Sequence, residues 1–163
     1  VSGDRSIVHP PHLQAGKAAT KALIRAFGGQ EAAEEVTGRA QSRLSAYGLP
    51  NTADFAPIDV VVALEARTHG TPGHPLVTRW LATENGYLLV PKPAALPSDV
   101  DWHMALGEAV KEMGDATQKI CAALPNGVTA EEIRKGRIRE EIAEAQQRLA
   151  QLDALAVRAL EEA

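Results

Sequence analysis

The sequence predicts a mainly α protein: a compact domain of short helices, then a region of long, coiled-coil-like helices. Three observations predict it. Of 163 residues, 29 are Ala and only 4% are aromatic, a composition for thin helix–helix seams and not for a thick sheet core. In the first half, Gly and Pro repeatedly close short stretches whose apolar residues stand three and four apart. In the second half, apolar residues alternate at steps of four and three over several turns, the spacing of a coiled-coil seam.

Residues 1–16, with Gly3, Pro10, Pro11 and Gly16, predict a flexible arm. Lys17 to Phe27 is helical, with Ala19, Leu23, Ala26 and Phe27 on one side, and Gly28-Gly29 stops it. Gln30 to Val36 is a short helix, Thr37-Gly38 a turn, and Arg39 to Tyr47 a third helix closed by Gly48 and Pro50. A fourth helix starts near Pro57, a favourable first-turn residue, and runs to about Thr68. Pro75 opens a fifth, to about Asn85. The apolar piece Tyr87 to Val90 fits a strand or the tail of this domain, which spans residues 17–90. Pro91, Pro93 and Pro97 then stiffen a linker over residues 91–101.

Residues 102–163 predict a helical self-association region. Trp102, Leu106, Ala109, Met113, Ala116, Ile120 and Leu124 make one stripe, broken by Pro125-Asn126-Gly127. Thr129 to Glu132 reads as a capping box for a helix that runs to the C-terminus. Its stripe is Ile138, Ile142, Ala145, Leu149, Leu152, Ala156 and Ala159, with Ile138, Ile142, Leu149 and Leu152 as its oligomerisation residues.

Composition excludes several classes. The net charge is −4, so the molecule as a whole is no magnet for polyanions. Residues 1–90 are balanced, eight Lys and Arg against eight Asp and Glu; residues 91–163 hold nine against thirteen. No apolar run reaches the roughly 18 residues of a membrane span. Val1 to Gln14 has no signal-peptide pattern and Cys121 is a lone cysteine, so a reducing cytoplasm is the expected setting. No nucleophile elbow, P-loop or Gly-rich dinucleotide turn is present, and neither catalysis nor a cofactor is expected. His9 and His12 are separated by Pro10-Pro11, and His69 and His74 share a loop without Cys or acid partners, so no metal site is expected. Trp80 and Trp102 are expected as core anchors, and no small-molecule effector is expected.

The informative stretch is residues 30–47. Ala32 and Ala33 are small enough for a close helix crossing, Gly38 suits a turn with positive φ, and Leu44 and Tyr47 can anchor the next helix. That leaves Arg39, Gln41, Ser42, Arg43 and Ser45 more exposed. No acid interrupts Arg39 to Tyr47, and these side-chain types suit base-edge and phosphate contacts in a DNA groove. Lys17, Lys21 and Arg25 on the preceding helix are candidates for phosphate. The run Arg134 to Arg139 reads chiefly as helix surface paired with neighbouring glutamates.

With a helix before and two after, residues 17–90 resemble the lambda-repressor-like helix-turn-helix domain. The layout of the whole chain is similar to the phage and prophage regulatory CII-like proteins. The resemblance implies a sequence-specific transcription regulator that binds double-stranded DNA as a dimer or tetramer and blocks or recruits RNA polymerase. Ala33 and Gly38 are five apart, whereas the family spaces its small residue and turn Gly by four. The turn is one residue longer or shifted, and the register of the reading helix stays open by one. The alternatives are a DNA-packaging or scaffold ring protein with a helix-turn-helix, and a helical protein–protein adaptor.

Overall fold

A computed structural model describes residues 7–93 and 101–162. It is all-α: eight α-helices and no strand among the described residues. The chain divides into two compact units after Leu89. The linker residues 94–100 lie outside the described residues.

The first unit holds α1 (Pro11–Phe27), α2 (Gln30–Thr37), α3 (Gln41–Tyr47), α4 (Ile58–Glu65) and α5 (Leu76–Glu84). Helix α1 starts six residues earlier than the predicted Lys17, because Pro11 sits in its first turn, where a missing N–H costs nothing. The expected arm thus ends at Pro10, and residues 1–6 lie outside the described residues. Tyr87 to Leu89 form no strand and are exposed. Leu23, Ile24, Ala33, Leu44, Tyr47, Val60, Leu64 and Val77 make the core, with every helix contributing.

Two non-local devices close this unit. Gly16 of α1 lets Trp80 of α5 lie directly on the backbone: a Cβ there would sit 2.5 Å from the indole ring. The indole N–H donates to the His12 carbonyl at 3.1 Å. The second device is Glu65, buried at the end of α4. Its carboxylate accepts from the Val77 and Thr78 amides at 2.7 and 3.1 Å and from the Thr78 hydroxyl. A carboxylate at the start of α5 satisfies donors that the helix itself cannot, and complements the helix dipole.

The second unit holds α6 (Trp102–Ala123), a 3-10 turn (Leu124–Asn126), α7 (Ala130–Lys135) and α8 (Ile138–Glu161). Asp101 caps α6 through the His103 amide, and Thr129 caps α7 through the Glu132 amide. Helices α6 and α8 pack as an antiparallel hairpin, fixed by Lys119–Glu141 at 2.7 Å and Glu108–Arg148 at 2.9 Å. Its seam sets the small Ala109, Ala116 and Ala123 of α6 against Ile138, Ala145 and Leu155 of α8.

Three expectations change here. The helix predicted from Thr129 onward is two helices, because Gly136 weakens the helix and Arg137 takes φ 52°, turning α8 so that Ile138 tucks inward. Ile138 therefore belongs to the chain's own seam. Half-buried Leu152 is not on the open face either, whereas Ile142 and Leu149 are 37% and 47% exposed. Trp102 is exposed and anchors no core; half-buried Trp80 does pack against the first one.

Candidate nucleic-acid interface

Helices α2 and α3 are joined by Gly38, Arg39 and Ala40. Gly38 takes φ 63°, and its amide closes α2 on the Glu34 carbonyl at 2.8 Å. The Thr37 hydroxyl donates back to the Ala33 carbonyl, and the Arg39 amide donates to Thr37 Oγ1. Ala33, Leu44 and Tyr47 are buried together, which sets the register of α3. Arg39, Gln41, Ser42 and Arg43 are exposed, and Ser45 is half-buried.

These side chains do not stand free. Arg39 pairs with Asp59 at 2.9 Å, Arg43 with Asp54 at 2.9 Å, and the Gln41 amide donates to Glu34 at 2.8 Å. The Arg39 hydrogen bond holds the Asp59 carboxyl below its usual range, and the same bond raises the guanidinium. Sequence reasoning missed Asp54 and Asp59 because they lie 11 and 20 residues beyond their partners. The one available signal was Asp59 in the first turn of α4, a position that favours an acid.

Lys17 leaves the phosphate-binding set. It is buried, and its ammonium donates to Thr52 Oγ1 at 3.0 Å and the Asp54 carbonyl at 2.6 Å, 4.4 Å from the centre of the Phe55 ring. Burial pushes its pKa down, opposed by the Asp54 charge. It ties α1 to the loop before α4. Lys21 and Arg25 are exposed and have no ion-pair partner among the described residues. With Gly29, Glu31, Gln41 and Ser45 they line a groove of about 880 Å³. Four of the predicted residues thus meet around one opening.

The remaining candidates are placed as follows. His9 meets the Thr52 carbonyl, and the His69 and His74 rings lie 4.3 Å apart beside Thr68. In the basic run, Arg137 pairs with Glu140 and Arg134 donates to its own helix at Ala130. Sequence reading missed the cluster of Glu112, Asp115 and Glu141, whose oxygens lie within 4.8 Å of one another. Lys111 and Lys119 already supply cations to that cluster. No helix of the described residues is long and apolar enough to cross a membrane. Among known proteins, no family model, curated protein or solved structure matches this chain.

Proposed function

We propose that the chain is a sequence-specific DNA-binding transcription regulator of the phage or prophage type, acting as an oligomer with α3 as its reading helix. The observation that carries the reading is the α2–α3 pair. Its three-residue turn, opened by a left-handed Gly38, buries Ala33, Leu44 and Tyr47 and leaves Arg39, Gln41, Ser42 and Arg43 at the outward start of α3. The N-terminal end of such a helix enters the major groove, where Arg reads guanine and Gln reads adenine. Lys21 and Arg25, exposed and without an ion-pair partner among the described residues, support the reading as the cations that would hold phosphate and set orientation.

The acid partners of Arg39 and Arg43 fit this reading. Exposed ion pairs are worth only about 0–1 kcal/mol, so a base or phosphate can displace the acid. Their presence lowers the attraction for arbitrary DNA and favours sites that offer a better partner than the acid does.

Selection of bound sites from random duplex DNA tests the proposal. The expected result is a short motif, ideally an inverted repeat, whose binding weakens with salt. Recovery of no motif and no salt-dependent binding would favour the protein–protein adaptor. Motif-free binding by a large ring would favour packaging.

A further inference from the structure

We propose that the α6–α8 hairpin is half of a four-helix bundle completed by a second copy of this chain, with α8 lying antiparallel on the partner's α8 about a two-fold axis at Gln146. The proposal deepens the DNA-binding reading, on which its functional meaning rests, by naming the partner and the contact.

The first support is the partition of charge. Every charged residue of α6, Glu108, Lys111, Glu112, Asp115 and Lys119, falls at helical spacing on one side, where the pairs to Glu141 and Arg148 close the hairpin. The other side carries exposed Leu106, Val110 and Met113. On α8 the corresponding side carries exposed Ile142 and Leu149 and holds no charge between Arg139 and Asp153. Leu106 and Met113 stand four residues after Trp102 and Ala109; Ile142 and Leu149 stand four after Ile138 and Ala145. The helices run oppositely and face one another, so this shared offset turns both sets to the same face of the hairpin. Between the two end charges, Arg139 and Asp153, that face carries exposed apolar side chains and no charge.

The second support is size. Helix α6 has 22 residues. At 1.5 Å per residue and about 10 Å per helix width, two such helices present a face of roughly 650 Å². Stable interfaces take about 600–1,000 Å² from each partner, and this face lies at the lower end of that range.

The third support is register, and it selects the occupant. About an axis at Gln146, Arg139 meets the partner's Asp153, and Asp153 meets the partner's Arg139. The same register sets Ile142 on the partner's Ala150 and Leu149 on the partner's Ala143, each large side chain against a small one. Arg139 and Asp153 are exposed and have no partner among the described residues. A foreign helix would have to reproduce the charge pair and the size alternation independently; a second copy carries both by symmetry.

The test uses the full chain without DNA, in sedimentation equilibrium. The parent should be a dimer. R139D and D153R, both at exposed positions and checked for unchanged helix content, should each raise the dissociation constant roughly tenfold or more, because each sets like charges together twice. Mixed in equal amounts, the two should form a heterodimer of parental affinity, since both cross pairs are then opposite in sign. Leu149→Asp should leave a monomer. A parent that stays monomeric at every concentration overturns the dimer. A mixture that associates no better than either variant alone overturns the register. None of these readings involves DNA, so failure of the DNA-binding proposal would show separately.

Discussion

Arg39 and Arg43 are each held by an acid from a later segment, and under the proposed function the acids would control how readily the arginines reach DNA. Asp59→Asn and Asp54→Asn remove the competitor without touching α3. Each should strengthen binding to random duplex DNA several-fold and narrow the gap between preferred and random sites, as read by fluorescence anisotropy. Unchanged affinity in both would mean that neither arginine approaches DNA. The Arg39–Asp59 pair also has a defined pH window. Because the folded carboxyl titrates below the ordinary value of 3.8, the unfolded chain takes up its proton first as pH falls. The pair's contribution is present above that value and lost as pH drops through the lower folded one, so Asp59→Asn should flatten the acid limb of the stability curve. The exposed cations of α1 and α3 differ in kind. Arg43→Ala should cost about 1–3 kcal/mol on the preferred site and relax one base position. Lys21→Ala should weaken all sequences alike, because a phosphate contact carries no base information. If matched and single-mismatch sites respond equally to replacement of Arg39, Gln41, Ser42 and Arg43, α3 does not read sequence.

At the scale of elements, the two units are held by different means. The first depends on close approach of α1 and α5 at Gly16, where Trp80 fills the space a side chain would take. Gly16→Ala should destabilise this unit by about 1–3 kcal/mol, the usual penalty of overpacking, and shift the Trp80 emission. Retention of the parental melting temperature would show that the indole swings aside freely. The local rules made most helices legible beforehand: Gly28, Gly38 and Gly48 all stand at helix ends, and the cap at Thr129 forms as expected. What escaped was non-local. Nothing near Lys17 in the sequence announces Thr52, Asp54 and Phe55, so a buried tether reads as a surface cation. The heptad of the second half was visible, but a period marks two flanks of a helix at once. Only packing shows that the alanines line the inner seam while Leu106, Met113, Ile142 and Leu149 stay outside it.

For the whole molecule, the proposals join at one question: whether two reading helices act together. Helix α3 has seven residues, enough to read a few base pairs in one groove, and the unit carrying it is electrically balanced. The second half is acidic, with thirteen acids against nine bases, so it adds no attraction for phosphate. If α3 reads DNA as proposed, tight binding must come from joining two copies, which would convert the second contact into an intramolecular one and strengthen binding by about 10²–10⁴-fold. The half-sites would stand about one helical turn, roughly 34 Å, apart or at a multiple of that. Leu149→Asp separates the two contributions. On an isolated half-site the variant should bind as the parent does, because its α2–α3 pair is untouched. On the full inverted repeat it should fall to half-site affinity, a loss of a hundredfold or more. Lengthening the spacer between half-sites by about five base pairs, half a turn, should weaken the parent in the same way and leave the variant indifferent. A parent equally tight on both spacings, or a variant as tight as the parent on the full site, would mean that each copy binds alone and that the hairpin serves some end other than DNA affinity.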